Sequence, residues 1–287
     1  MKKAIIVLST ILTLVSCNKE TTDKNDSTLT GVNVLDLSTI TSESSDEDRT
    51  AKGKCTLFGT LPVKKPIFIA DGATVTLRGV SINANKAWNG GDGAGVTCLG
   101  DATLILGDDS FNTVRSLHED YPGITVPVGK TLTIKGEKDG TGRLTVSGTP
   151  HPTGAFHGCG IGGGFKISCG NIVIRGGNIT AEGGVDAAGI GCGYGSNGTQ
   201  STCGNITIDG GIVTAIGGNT APGIGSGNRG TCGDIVITNQ VTCVTAVKGT
   251  GNAPDCIGIG EAGNCGKIYI GGVETGRIHD DQYTYKP

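Results

Sequence analysis

The chain has 287 residues, a formal net charge of −3 and 36% hydrophobic residues, which suffices for a sizeable core. The charge, and the lack of a basic cluster beyond the first few residues, argue against a nucleic-acid partner, because such proteins neutralise phosphates with clustered Lys and Arg. The 52 glycines lack a strict triplet period, which excludes a collagen-like triple helix.

The first seventeen residues have the organisation of an export signal. Lys2 and Lys3 form a basic start, and residues 4–15 are apolar but too few to span a membrane as a helix. The following LVSC, which ends at Cys17, resembles the signal of bacterial lipoproteins, in which cleavage precedes the cysteine and its thiol carries a diacylglycerol. The resemblance implies lipidation of Cys17 and membrane anchoring. A plain secretory signal is the alternative.

Residues 18–50 are rich in Thr, Ser, Asp, Asn and Glu, with eight acidic residues against three basic ones. Such a segment buries too little apolar surface to order itself, so we predict a flexible tether that leads into a weak strand at 32–37. Acidic residues soon after Cys17 resemble the outward-sorting signals of some Gram-negative lipoproteins. The expected location is therefore the outer membrane, with display at the cell surface.

We predict that the folded domain spans residues 51–287 and begins with irregular coils. Between 55 and 146, short β-rich runs alternate with Gly, Asp and Asn, and no stretch has a helical period. The runs are 67–69, 74–77, 80–82, 96–98, 103–106, 124–126, 131–134 and 144–146.

A repeat organises the C-terminal half. The sequence CGNIVIRGG returns as CGNITIDGG, CGDIVITNQ and CGKIYIGGV, with starts 34, 29 and 33 residues apart. A period in this range is typical of stacked repeat proteins. The starts are Cys169, Cys203, Cys232 and Cys265.

Each repeat contains three short apolar pieces. The first alternates, as in a strand with one buried face, and its inward residues are Ile172, Ile174, Ile206, Ile208, Ile235, Ile237, Ile268 and Ile270. The second places alanines inward and threonines outward, at Ala181, Ala215, Ala246, Thr180, Thr214 and Thr245. The third is a GIG triplet with Ile161, Ile190, Ile224 and Ile259.

Strands of about four residues separated by glycines close no core within one repeat, but they can stack. We therefore predict an all-β solenoid, a parallel β-helix in which each strand pairs with its copy in the next coil at about 4.8 Å. Glycine provides the corners that need positive φ. The polar tail 277–287 is expected to cap the end against edge pairing.

Several stretches resemble a known family. ADGATVTLRGVSI (70–82), DATLIL (101–106), YPGITVPVGKTLTIKG (121–136) and the CGNITI units are similar to the right-handed parallel β-helix of bacterial carbohydrate-binding domain-containing proteins, over about 55–272. The resemblance implies a polysaccharide ligand, such as a plant cell-wall glucan or pectin. A glycan-import outer-membrane complex is the protein partner that this interpretation suggests. No acidic loop has calcium-ligand spacing, so we expect no metal and no cofactor.

The four repeat cysteines are expected to form one column. Stacking at strand spacing brings them within disulfide reach, and an exported chain meets oxidising conditions. Buried free thiols are the alternative, and we favour them because a parallel stack does not guarantee the disulfide torsion. Zinc is disfavoured, since the cysteines lie about thirty residues apart without CxxC or paired histidines.

Two polar-aromatic loops in the irregular half are the candidate glycan site, because sugar rings stack on aromatic side chains and their hydroxyls pair with polar ones. These loops carry Trp88, Asn89, Asp92, His118, Glu119 and Tyr121. Loops that leave successive coils at one corner project side by side, so we predict a single cleft. Alternatively, Trp88 caps a hydrophobic end and Tyr121 packs on Pro122.

The predicted function is glycan binding without catalysis. Parallel β-helices also serve pectin lyases and polygalacturonases, but that chemistry needs convergent carboxylates or a base with a bound cation. The charged residues of the regular repeats are dispersed, and no two repeats place acids at matching strand positions. A lyase or hydrolase is therefore less favoured. A structural or adhesin-type solenoid is the remaining alternative.

Overall fold

The computed structural model describes residues 33–84, 93–148, 157–196 and 199–287. These residues form a parallel β-helix with three faces, and successive coils add short strands to each face. The described residues contain one 3-10 turn, Leu37–Thr39, and no α-helix. None of their helices has the length and hydropathy that a membrane crossing needs.

The first and second faces are the two arms of a 16-stranded sheet, which meet in one long strand. The first face consists of β1 (Asn33–Asp36), β3 (Lys54–Thr60), the first half of β5 (Ala73–Ala84), β7 (Ala102–Leu106), β10 (Thr131–Gly136), β13 (Asn171–Ile174), β17 (Ile206–Ile208), β21 (Ile235–Ile237), β25 (Ile268–Ile270) and β26 (Val273–Glu274). The second face consists of the other half of β5, β8 (Phe111–Ser116), β11 (Arg143–Gly148), β14 (Asn178–Glu182), β18 (Ile212–Ile216), β22 (Cys243–Val247) and β27 (Gln282–Tyr285).

The third face is an eight-stranded sheet of very short strands. It consists of β2 (Thr50–Ala51), β4 (Ile67–Ile69), β6 (Val96–Cys98), β9 (Ile124–Thr125), β12 (Ile161–Gly162), β15 (Ile190–Cys192), β19 (Ile224–Ser226) and β23 (Ile257–Ile259). A three-stranded sheet of β16 (Thr202–Cys203), β20 (Thr231–Cys232) and β24 (Asn264–Cys265) lies between the third face and the first.

The predicted interior ladders of the regular coils are confirmed. Ile174, Ile208 and Ile237 pair in register on the first face, and all three are fully buried. The alanines and threonines of the second piece also pair in register, with the alanines buried and the threonines partly exposed. Burial of each isoleucine side chain stabilises the fold by roughly 1.5–3 kcal/mol, so the ladders carry much of the stability.

One predicted ladder position is wrong. In the third-face ladder Ile224 pairs with Ile257, whereas Ile259 pairs with Ser226. The stretch CIGIG contains a GIG at 258–260, but the register is set by the preceding Ile257, whose side chain continues the buried column. Cys256 thus takes the place that glycine holds in the other coils.

Glycine after each third-face isoleucine has a steric reason. Gly162, Gly191, Gly225 and Gly258 pair in register with φ between +136° and +141°, where L side chains are strained. A Cβ on any of the first three would overlap the carbonyl oxygen of the next glycine in the ladder. The GIG motif therefore permits close approach of successive coils.

The solenoid begins earlier than the predicted boundary at residue 51. Asn33–Asp36 forms a strand that pairs with β3, and Leu35, Leu37 and Ile40 are buried in the core. Within residues 33–50, therefore, part of the predicted tether belongs to the fold, because three apolar side chains are enough to dock the segment. The predicted strand at 32–37 is confirmed for 33–36, and residues 18–32 lie outside the described residues.

The C-terminal tail caps the second face, as predicted. β27 pairs antiparallel with β22, which closes the edge that β22 would otherwise expose. The tail is also held by Asp255, a fully buried carboxylate. Its oxygens lie 2.6 Å from His279 Nδ1 and 3.4 Å from Arg277 Nε, and one of them accepts a hydrogen bond from the Ile259 backbone.

The repeat cysteines form the predicted column. Cys203, Cys232 and Cys265 pair in register, and the Cys169 backbone N–H donates to Thr202 one coil away. All ten described cysteines are free thiols, in agreement with the favoured alternative. Burial raises the pKa of Cys192 above its usual value, so this interior thiol stays protonated.

A column of side-chain acceptors runs along the corner that precedes the first face. In each step, a side-chain oxygen accepts a hydrogen bond from the backbone N–H one coil further on; Asn205 Oδ1, for example, accepts from Asp234 at 2.9 Å. The acceptors are Asp71, Asp101, Asn171, Asn205 and Asp234. The column is interrupted between Asp101 and Asn171, where the Asn171 N–H donates to the Lys130 backbone carbonyl, and it ends where Asp234 accepts from Lys267. It ties successive coils together outside the apolar core.

Candidate functional site

Half of the predicted glycan-site residues can be placed. His118, Glu119 and Tyr121 lie on the loop between β8 and β9, with Glu119 exposed and the two rings partly exposed. Trp88, Asn89 and Asp92 lie outside the described residues, as does Cys17. The first described residue after that loop, Gly93, packs against the Tyr121 ring and the His118 Cβ, since a Cβ there would lie 3.0 Å or less from both side chains.

Two groups of rings come together beside the third face. His118 and Tyr121 meet edge to face, with centroids 4.9 Å apart. Phe165 and Tyr194, from successive coils, stack with an interplanar angle of 12° and a centroid distance of 5.4 Å. His157 joins the second group at 5.3 Å from Phe165 and 4.9 Å from Tyr194. We call these five residues, together with Asp186, the third-face cluster.

Backbone hydrogen bonds join the two ring groups. The Phe165 N–H donates to the Asp120 carbonyl at 2.9 Å, and the His157 N–H donates to the Glu119 carbonyl. The loop that carries His118 and Tyr121 is therefore fixed to the loops that carry the other rings. Main-chain bonds thus hold the two ring groups of the third-face cluster next to each other.

Asp186 is the polar centre of the third-face cluster. It lies 3.0 Å from His157 Nδ1, and it accepts hydrogen bonds from Thr220 Oγ1 at 2.6 Å and from Asn228 Nδ2 at 3.3 Å. Burial alone would raise the pKa of Asp186, but the bonds from these partners outweigh it, so the pKa lies below its usual value. The carboxylate is ionised at neutral pH and holds the His157 ring in place.

The pKa of the neighbouring Asp120 is shifted in the opposite direction. Burial raises the pKa of its carboxyl, and the charges of His118 and His157 offset the shift only in part. The pKa values of two carboxyl groups near the same rings are thus shifted in opposite directions. Asp120 is the one of the two that accepts a proton more readily.

The arrangement combines ring faces with a polar border. Partly exposed Tyr121, Phe165 and Tyr194 offer apolar faces, whereas His157 and Asp186 offer polar groups next to them. This pairing of surfaces suits a ligand that is apolar on its faces and polar at its edges. Within the described ranges, no group of three or more His, Cys, Asp or Glu side chains could hold a metal ion.

Sequence reasoning missed His157, Phe165, Tyr194 and Asp186 as site residues. A signal was present, because Phe165 and Tyr194 are 29 residues apart and Asp186 and Thr220 are 34 apart. Both separations equal spacings between repeat starts, so each pair occupies neighbouring coils. Loops on the two sides of a very short third-face strand also come close together, but this proximity is visible only in the folded coil.

The comparisons with known proteins bear on the fold. A protein-family model described as "Beta helix repeat" matches residues 172–194 and 206–228, which correspond to two of the regular coils. No curated protein and no solved structure gives a significant match. The chain is thus similar to β-helix repeats in its regular half, in agreement with the parallel coils of the structure.

Proposed function

We propose that this chain is a glycan-binding protein of the outer membrane, displayed at the cell surface on a lipid at Cys17, and that it binds without catalysis. The third-face cluster is the observation that carries the proposal. Its rings can stack on the apolar faces of sugar rings, while His157 and Asp186 lie beside them to pair with hydroxyl groups. A polysaccharide is the ligand class that this surface suits best.

Ligand and site are tested by a glycan array on the purified protein, followed by titration calorimetry with each glycan that binds. Tyr121→Ala and Tyr194→Ala should each weaken binding by about 1–3 kcal/mol, the scale of losing one aromatic contact. Tyr269→Ala is the matched control, since Tyr269 lies on the outer side of β25, on the first face. Equal losses in all three variants would move the site away from the third-face cluster.

The same protein distinguishes the alternative functions. Release of reducing sugar, or absorbance from unsaturated products, in the presence of a bound glycan would identify a hydrolase or lyase and contradict the proposal. Absence of binding across the array would favour a structural or adhesin-type solenoid. Binding with no product over long incubation is the expected result.

Lipid anchoring is tested separately. Cys17→Ser should abolish labelling by radioactive palmitate and leave the signal uncleaved, because the thiol is the acceptor of the lipid. Equal labelling of variant and wild type would refute the anchor. A glycan-import complex is the partner we propose at the outer membrane, and co-purification of the lipidated chain with such a complex is the corresponding measurement.

A further inference from the structure

Two hollows adjoin at a place remote from the third face. The larger, of about 510 Å³, lies at the corner between the first and second faces and is lined in part by Arg143, Arg175 and Asn178. The smaller, of about 240 Å³, lies on the second face beside Phe111, and Arg143 and Asn178 line it too. Because they share these two residues, the hollows form one depression, which we call the second-face trough.

The second-face trough extends along the axis of the solenoid. Phe111, Arg143, Asn178 and Ile212 pair in register on four successive strands, and all four line it. Three steps of about 4.8 Å give a length of about 14 Å. An open groove of this length fits an extended chain of several units better than a single small molecule.

The second-face trough is positively charged. Among the described residues, no carboxylate forms an ion pair with Arg143 or Arg175. Of the acidic residues in the lining, Glu137 is already paired with Arg78 at 2.5 Å. Two guanidinium groups are therefore available to a ligand, and each can bind a planar anionic group through two hydrogen bonds.

An aromatic ring lies next to one of these guanidinium groups. Phe111 is 69% exposed, which is unusual for its type, and the Arg143 guanidinium lies 5.2 Å from its ring centroid. The threonine column of Thr113, Thr145 and Thr180 continues beside them, with Thr145 exposed and the other two partly exposed. An apolar ring face, cations and hydroxyl groups thus follow one another along the second-face trough.

The corner end of the second-face trough is kept free of side chains by glycines. Gly177 and Gly211 have φ of +87° and +80°, a conformation that glycine adopts without strain. A Cβ on Gly211 would overlap the Gly177 carbonyl oxygen, so larger residues are excluded. Arg175 and Arg143 consequently border an open floor.

We infer that the second-face trough binds a linear polysaccharide that carries anionic groups, carboxylate or sulfate. Arg143 and Arg175 pair with the anionic groups, Phe111 stacks on a sugar ring, and the threonine hydroxyls bind along the chain. The site shares no residue with the third-face cluster and does not depend on its function.

Titration calorimetry of the purified full-length chain tests the inference with three probes: a mannuronic acid hexamer, its methyl ester, and a sulfated galactan hexamer. The ester should bind at least tenfold more weakly than the acid, because it keeps the rings and loses the charges. The two anionic probes show which group is preferred. Weaker binding in higher salt is also expected.

Variants locate the site. Arg143→Ala and Arg175→Ala should each weaken binding of the preferred anionic probe about tenfold or more, the effect of losing a charge-assisted hydrogen bond. Asp139→Asn should strengthen it, since Asp139 lines the second-face trough and repels anions. Lys54→Ala, which removes one positive charge from exposed β3, is the matched control and should change affinity less than twofold.

Several results would overturn the inference. Equal affinity for the acid and the ester, or equal losses in Lys54→Ala and Arg143→Ala, would show that no specific anion site exists. A loss in Tyr194→Ala with no effect of the arginine variants would place the anionic glycan at the third-face cluster instead. If an arginine variant fails to fold, Asp139→Asn still tests the inference. Unchanged or weaker binding of the anionic probe by Asp139→Asn contradicts it.

Discussion

In the ladders, the side of the strand on which a side chain lies decides which substitutions the fold tolerates. Ile208 lies between Ile174 and Ile237 in the buried column, whereas its neighbour Thr207 faces outward in the same strand. A charge at the inward position has no partner and no water, and the same charge at the outward position is hydrated. The same substitution at Ile208 and at Thr207 therefore tests which side of the strand faces the core.

Ile208→Asp should lower the free energy of unfolding by roughly 3–5 kcal/mol or prevent folding, because it strands a carboxylate in the core. Thr207→Asp, one residue away, should change it by less than about 1 kcal/mol. Urea unfolding followed by circular dichroism measures both. Similar stability of the two variants would mean that the inward and outward positions are assigned incorrectly.

The reactivity of the thiols should follow their burial. Burial raises the pKa of Cys98 to about 12, so it remains a thiol at neutral pH. Cys265 lies in the outermost coil and is partly exposed, and a hydrogen bond from Cys232 lowers its pKa. Iodoacetamide at pH 7.5, followed by peptide mass spectrometry, should modify Cys265 first and Cys98 only after unfolding. Simultaneous modification of both would contradict the burial of Cys98.

Ladder residues could be predicted from the sequence where the repeat gives one solution. Period-two alternation assigned Ile208 and Ala215 correctly, because only one phase buries an apolar side chain. The prediction from the GIG triplet was wrong at Ile259, because IGIG fits the ladder in two registers. Only pairing with the neighbouring coil places Ile257, and not Ile259, beside Ile224. The third-face cluster was not predicted for a related reason, because the stacking of the coils determines which loops meet.

Among the elements, the acceptor column is the clearest feature that the sequence analysis overlooked. The repeat starts read CGN, CGN, CGD and CGK, so an acceptor side chain stands third in every coil but the last. Each acceptor satisfies the backbone N–H of its own equivalent in the next coil, and Lys267, which has no acceptor oxygen, ends the series. The sequence shows the pattern as an interchange of Asn and Asp at one repeat position. Its role as a hydrogen-bond acceptor becomes clear only when the coils are in register.

Asn205→Ala should reduce the free energy of unfolding by about 1 kcal/mol, since the Asp234 N–H loses its acceptor. Asn205→Asp retains an acceptor oxygen and should remain close to wild type at neutral pH, as Asp already occupies the equivalent position 234. Chemical denaturation of the three proteins compares them directly. Equal loss in both variants would show that the amide group, and not the acceptor, matters at this corner.

For the whole molecule, the end caps determine whether the solenoid remains a separate particle. Both faces of the 16-stranded sheet end in an antiparallel strand, β26 on the first and β27 on the second. Buried Asp255 holds the segment that leads into β27 through Arg277 and His279. An uncovered parallel edge would present unpaired N–H and C=O groups to a second chain.

Deletion of residues 277–287 should therefore shift the protein to higher mass in size-exclusion chromatography with light scattering, because β22 becomes a free edge. Deletion of 286–287 alone leaves β27 intact and is the matched control. The larger deletion also removes Arg277 and His279, the partners of buried Asp255, so a lower melting temperature is expected as well. An unchanged mass for both truncations would show that β27 does not prevent association.

The register of the coils also implies an order of assembly. The parallel ladders of the regular coils pair residues about one coil apart in sequence, so such a coil can dock once its predecessor is in place. A chain that crosses a membrane from its N-terminal end could thus fold progressively as it emerges, with Leu35 and Leu37 in the first coil. β27 lies C-terminal to every strand, so β22 pairs with it only after all other coils have formed. Until β27 pairs, the edge of β22 is exposed, and the length of that delay sets how long a neighbouring chain can pair with it.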